Sequence, residues 1–206
     1  NFNQKYGISN SKIKNFKEIK KILNFLKKNK IYHLDTAFSY KLSENFLSKL
    51  NFSRFKIITK FKLPLNNKIK FIDKLEKKVK KDLNSFGIKQ FEAILLHNTK
   101  DIRSKYSNKL ISKLKNLKKK KLVKNLGISV YEKNEVQYAL KKFKFDFIQF
   151  PANIFDQRFL DYNFLNKLKK HKIKLQVRSI FLQGLLLKKI DKVNKFNHKK
   201  ILKNKI

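Results

Sequence analysis

Short apolar runs alternate with amphipathic stretches from one end of this chain to the other, and that alternation limits its fold more than any other feature. Ile13, Phe16, Ile19, Ile22, Leu23 and Leu26 recur every three or four residues and predict one buried helix face. The run Ile31 to Ala37 reads as a strand, Leu42 to Leu50 as a helix with Ser43 at its N-cap, and Phe55 to Phe61 as a second strand stopped by Pro64. Ile69, Ile72, Leu75, Val79, Leu83 and Phe86 mark a longer helix that Gly87 closes, because glycine tolerates the left-handed conformation of a C-cap. Strands over Phe91 to Leu96, Leu122 to Ile128, Phe145 to Phe150 and Ile173 to Ile180 follow. The helix faces between them are Leu110, Ile111, Leu114 and Leu117, then Val136, Ala139, Leu140 and Phe143, then Phe164, Leu165 and Leu168. Strands that alternate with helices predict a parallel α/β sheet with crossover helices. The strands are apolar on both faces and so expect cover on both. A closed barrel and a doubly wound open sheet fit this pattern equally well.

No linker or composition shift divides the 206 residues, which are read as a single domain, 1–206. The 41% hydrophobic content is enough for a core and sets the chain apart from disordered polyelectrolytes. No apolar run is long enough for a transmembrane helix, and Asn1 to Tyr6 lacks the apolar centre of an export signal, so the expected location is the cytoplasm with no membrane partner. There is no methionine, even at position 1, so the chain is read as processed or incomplete. Without cysteine, disulfides and thiolate chemistry are excluded.

The formal net charge of +39 invites a nucleic-acid reading. Against it, only Arg54, Arg103, Arg158 and Arg178 among the 53 basic residues are arginine, whose planar fork suits phosphate and base recognition. The lysines spread over nearly every helix and loop. Lys, Asn, Ile and Phe are abundant together and share A/T-rich codons, so compositional drift accounts for the set. No specific nucleic-acid partner is expected, only weak attraction to polyanions at low salt.

No glycine-rich dinucleotide turn or phosphate loop follows any strand. His33, His97, His171 and His198 show no metal-ligand spacing, so no metal is expected. What stands out is chemistry at strand ends. Asp35 and Tyr40 follow the first strand, Lys60 ends the second, and His97 ends the third. An acid, a phenol, an ammonium and an imidazole delivered to one rim make a proton-donating site. Lys62, on the same strand face, competes with Lys60 for its place.

Asp35-Thr36-Ala37 with Tyr40 and Ser43-Glu44, then Lys60, Leu95-Leu96-His97, Leu126-Gly127-Ile128-Ser129, Gln149-Phe150-Pro151 and Ser179 through Gln183-Gly184-Leu185-Leu186 resemble, in order, the motifs of the aldo-keto reductases. That resemblance implies a (β/α)8 TIM-type barrel, here lacking the first and last strands. It implies an NAD(P)H-dependent oxidoreductase that reduces an aldehyde or ketone, with NADP preferred to NAD. Tyr40 would be the proton donor, Lys60 would lower its pKa, Asp35 would pair with Lys60, and His97 would orient the carbonyl oxygen. Ser129 and Gln149 would hold the nicotinamide carboxamide, with Arg178, Ser179, Gln183 and Gly184 also on the cofactor. Two positions depart from the family pattern: Val130 stands where many members have asparagine, and Arg178 where many stack a tyrosine on the nicotinamide. Phe38, Phe61, Phe150 and Phe155 are expected to line the substrate cleft. The alternative readings are a non-catalytic or truncated relative that serves as a structural or binding protein, and a polyanion-binding barrel.

Overall fold

A computed structural model of the chain describes residues 16–40 and 47–187. It shows a six-stranded sheet in the order β1-β2-β3-β4-β5-β6, with every neighbouring pair parallel. The strands are β1 His33–Asp35, β2 Lys56–Phe61, β3 Phe91–Leu96, β4 Val123–Ser129, β5 Phe147–Pro151 and β6 Lys174–Arg178. Sequential order settles what periodicity left open. A doubly wound sheet reverses its order at a switch point, whereas a barrel adds each strand beside the last. The sheet is six strands of a curled (β/α)8 wall.

The helices are α1 Phe16–Lys28, α2 Lys68–Phe86, α3 Lys100–Arg103, α4 Ser107–Lys119, α5 Lys133–Lys142 and α6 Tyr162–Lys170. Their buried residues fall at the predicted spacing: Ile19 and Leu23 on α1, Ile72, Leu75, Val79 and Leu83 on α2, and Leu110, Leu114 and Leu117 on α4. Gly87 closes α2 with φ 61°, its N–H reaching back to Asn84 O and Leu83 O. Three expectations need correcting. Ile69 in the first turn of α2 is exposed. The outer strands are shorter than their apolar runs: β6 stops opposite the last residue of β5, and beyond Asp35 the chain leaves regular strand geometry although Thr36 N and Phe38 N still reach β2. The four-residue α3, too short to show a period, was not foreseen. Leu42 to Phe46, with the expected N-cap Ser43, and Ile13 lie outside the described residues.

Apolar packing divides between the two faces of the sheet. A large cluster joins the helix-facing strand residues Ile57, Ile94, Leu96, Leu126, Ile128 and Ile148 to the buried faces of the helices. A small one, Ile58, Ala93, Leu95 and Phe147, fills the opposite face. Gly127 is set among these residues on β4. A Cβ there would stand 2.7 Å from Phe147 O and 2.9 Å from Leu95 Cγ, so the close approach of β3 and β5 requires glycine.

Candidate active site

Directly paired residues in a parallel sheet share a face, and so do residues two apart on one strand. The register therefore builds one chemical surface above the small cluster. Asp35 pairs with Ile58, two residues before Lys60. Lys60 pairs with Leu95, two residues before His97. Ser129 pairs with Gln149, Gln149 with Gln176, and Arg178 follows two residues later on β6. Residues from six strands thus reach the C-terminal rim, where barrel active sites lie.

Lys60 is 5% exposed although it is a lysine, and burial of such a group requires a partner. Its Nζ donates to Asp35 Oδ2 at 2.5 Å. Lys62 stays exposed, which decides between the two lysines in favour of Lys60 as the paired one. The chain beyond β1 continues along β2, with Thr36 N donating to Ile58 O and Phe38 N to Lys60 O. It then turns, with Tyr40 N on Ala37 O. Tyr40, half-buried, therefore leaves the backbone two residues from the contact that ties this loop to Lys60.

His97 N donates to Phe61 O at 2.7 Å, which brings the end of β3 alongside the end of β2. Burial pushes the imidazole below its ordinary pKa, and the charges of Lys60, Arg178 and Lys62 push it further, with Asp35 opposing them. A neutral His97 can donate one N–H to an oxygen without a competing proton on the ring. The sign for stability follows. The unfolded chain binds a proton near pH 6.5 that the folded chain resists, so this contribution is full above that pH and lost as pH falls. Between pH 5.5 and 7.5, the urea midpoint of the wild type should rise more steeply than that of His97→Asn, and parallel profiles would refute the assignment.

On the other half of the rim, Gln149 is 1% exposed and donates Nε2 to Gln176 Oε1 at 2.8 Å. Its Oε1 is buried without a hydrogen-bond partner. Ser129, also 1% exposed, is its register neighbour on β4. A buried, unsatisfied amide oxygen is costly unless a donor arrives. A carboxamide NH2 supplies one, so the residues present fit a nicotinamide. Arg178 donates Nη2 to Val130 O at 3.3 Å and Nη1 to Ser179 Oγ at 3.4 Å. Ser179 (φ 63°), Gln183 (φ 58°) and Gly184 (φ 94°) belong to a turn-rich segment after β6, the latter two forming a left-handed kink within Leu182–Leu187.

The expected aromatic lining needs correcting, because three of its four residues pack on the helix side of the sheet. Phe61 and Phe150 face the helices in the large cluster, because they alternate with Lys60 and Gln149 on their strands. Phe38 stacks on Phe61 at 5.6 Å, and Phe155 is 73% exposed. Sequence reasoning missed a bracing set behind the rim. Thr99 Oγ1 donates to Glu135 Oε1 at 2.5 Å, and the other oxygen of Glu135 accepts from Tyr131 N at 2.6 Å. The Glu132–Glu135 capping box opening α5 was the available signal. Asp101 is buried too and accepts from Leu63 N at 2.9 Å, tying the β3 loop to the β2 loop. Among the described residues no helix is long and apolar enough to cross a membrane.

Comparison with solved structures finds the same fold repeatedly. A candidate aldo-keto reductase from Pseudomonas aeruginosa superposes with TM-score 0.67 at 20% identity, covering 86% of this chain and 70% of that one. An aldo-keto reductase from Bacillus halodurans, in its holo form, gives 0.68 at 20% identity, covering 84% and 60%. One from Klebsiella pneumoniae in complex with NADPH gives 0.64 at 14% identity, covering 82% and 60%. The chain thus spans between three-fifths and seven-tenths of the length of these relatives. Comparison with curated protein sequences finds no match. The aldo/keto reductase family profile matches residues 4–205, nearly the whole chain, and in keeping with the ordered parallel strands and the Asp35–Lys60 pair the chain belongs to the aldo/keto reductase family.

Proposed function

We propose that this protein reduces an aldehyde or ketone with a nicotinamide cofactor, NADPH in preference to NADH. The observation that carries the reading is the buried Lys60 paired with Asp35 beside His97, with the Tyr40 turn hydrogen-bonded to the backbone of Lys60. A free phenol has a pKa of about 10 and holds its proton tightly near neutrality. A cation beside it favours the phenolate and makes proton release easier. Lys60 supplies that cation, and Asp35 holds it in place. Tyr40 then gives its proton to the carbonyl oxygen, while neutral His97 donates a hydrogen bond to the same oxygen and orients it. When bound, the reduced nicotinamide supplies the hydride that the carbonyl carbon receives. Gln149 Oε1 would accept from the carboxamide, with Gln176 holding the Gln149 amide and Ser129 beside it on β4. Arg178, Ser179, Gln183 and Gly184 would hold the rest of the nicotinamide end.

The test is a fluorescence titration with NADPH and with NADH at ~0.3 M salt, where long-range attraction to a +39 surface is mostly screened. Saturable binding, tighter for NADPH and lost in Gln149→Leu, is the expected result. A folded sample that binds neither cofactor would refute the reading and leave a non-catalytic relative. Weak binding that fades with salt and ignores Gln149 would instead mark attraction of a polyanion to the lysine surface.

A further inference from the structure

By the motif resemblance Arg178 stands where many family members stack a tyrosine on the nicotinamide, and the structure shows how that cation is kept in place. From β6 the side chain crosses the end of β5 to reach Val130 O beyond Ser129 on β4. One face of its guanidinium lies on the Tyr131 ring, with Cζ 4.1 Å from the centroid. Tyr131 is itself held at the backbone, where Glu135 takes its N–H and is anchored in turn by Thr99. Among the described residues no carboxylate pairs with Arg178, so its charge is not neutralised within the rim. That charge reaches as far as His97.

We propose that Tyr131 is a positioning residue that holds the Arg178 guanidinium flat as a cationic platform, and that this platform makes the site favour the reduced nicotinamide over the oxidised one. The inference rests on the cofactor reading above. A reduced nicotinamide ring is neutral and stacks on a planar guanidinium without penalty. The oxidised ring carries a positive charge, so the same platform repels it. A tyrosine would do the reverse, because an aromatic face attracts a cation. The phosphates of the two forms are alike, so their attraction to Arg178 cancels in the comparison. Two unit charges ~4 Å apart near a protein surface interact by ~1–4 kcal/mol depending on screening. At the screened end this corresponds to about a fivefold preference.

The experiment measures dissociation constants for NADPH and NADP+ by titration at ~0.3 M salt. The proteins are wild type, Arg178→Tyr, Arg178→Met, Tyr131→Ala and Tyr131→Phe. Wild type should bind NADPH about fivefold or more tightly than NADP+. Arg178→Tyr and Arg178→Met should shrink or invert that ratio. Tyr131→Ala should lower it toward the Arg178→Met value, and Tyr131→Phe, which keeps the ring, should retain it. Because Tyr131 is 48% exposed, its replacement should leave the melting temperature nearly unchanged. A ratio that Arg178→Tyr and Arg178→Met do not move overturns the platform while leaving the cofactor reading intact. A ratio that moves with Arg178 but not with Tyr131→Ala overturns the positioning role. A folded wild type that binds neither form overturns both the platform and the proposed function.

Discussion

Tyr40→Phe should lower carbonyl turnover by roughly 10²–10⁴-fold while leaving the fold and NADPH affinity intact. The substitution removes one oxygen from a half-buried side chain and disturbs none of the backbone contacts Thr36–Ile58, Phe38–Lys60 and Tyr40–Ala37 that shape its loop. The Asp35–Lys60 pair also stays whole. What disappears is the phenol of the proposed proton donor. Without it the developing alkoxide must take its proton from water or from the neutral imidazole of His97. Steady-state reduction at saturating NADPH, with melting temperature and cofactor titration as controls, gives the answer. Turnover within a few-fold of wild type would rule out Tyr40 as the donor and move attention to His97.

The second large effect is structural. Gly127→Val should cost about 3 kcal/mol or more, the upper part of the range for overpacking a filled interior. For a chain of this size that is a fall of roughly 6–12 °C in melting temperature. No flexible side-chain end can swing away from the new Cβ, because its nearest neighbour is the backbone carbonyl of Phe147. Shifting β5 to make room would also move Gln149, two residues along, so cofactor affinity should fall with stability. Thermal melts of Gly127→Ala and Gly127→Val should show a graded loss. A valine variant as stable as wild type would mean that β4 and β5 can separate without strain.

The element types and their buried faces were legible because each obeys a single period. Ile72, Leu75, Val79 and Leu83 need no tertiary information to be recognised as one helix face. Strand order was not legible from periodicity, since it depends on how strands twist and pack and not on any one of them; the ordered motifs supplied it. At the site, Asp35, Lys60 and His97 could be placed at strand ends, but the choice of Lys60 over Lys62 could not be made from composition. It depends on which ammonium is buried against a carboxylate. Gln176 was invisible because its role arises only through its register with Gln149. Tyr131 was hidden for a similar reason, since a ring beside a strand end says nothing until the arginine that lies on it is located.

Each strand touches only its neighbours in sequence, so the sheet behaves less like a single block than like a short stack of repeating units. Among the described residues β1 and β6 are paired on one side only, whereas β2 to β5 are paired on both. Within this described segment, β2 to β5, each held by two neighbours, should open last. The site is spread along that gradient. Asp35 sits on one terminal strand and Arg178 on the other, while Lys60, Ser129 and Gln149 belong to the protected centre. Partial fraying would thus release Asp35, the proposed support of Lys60, or Arg178, proposed to meet the cofactor, one without the other. Ser129 and Gln149 would persist through both events, whereas Gln176 would leave with β6.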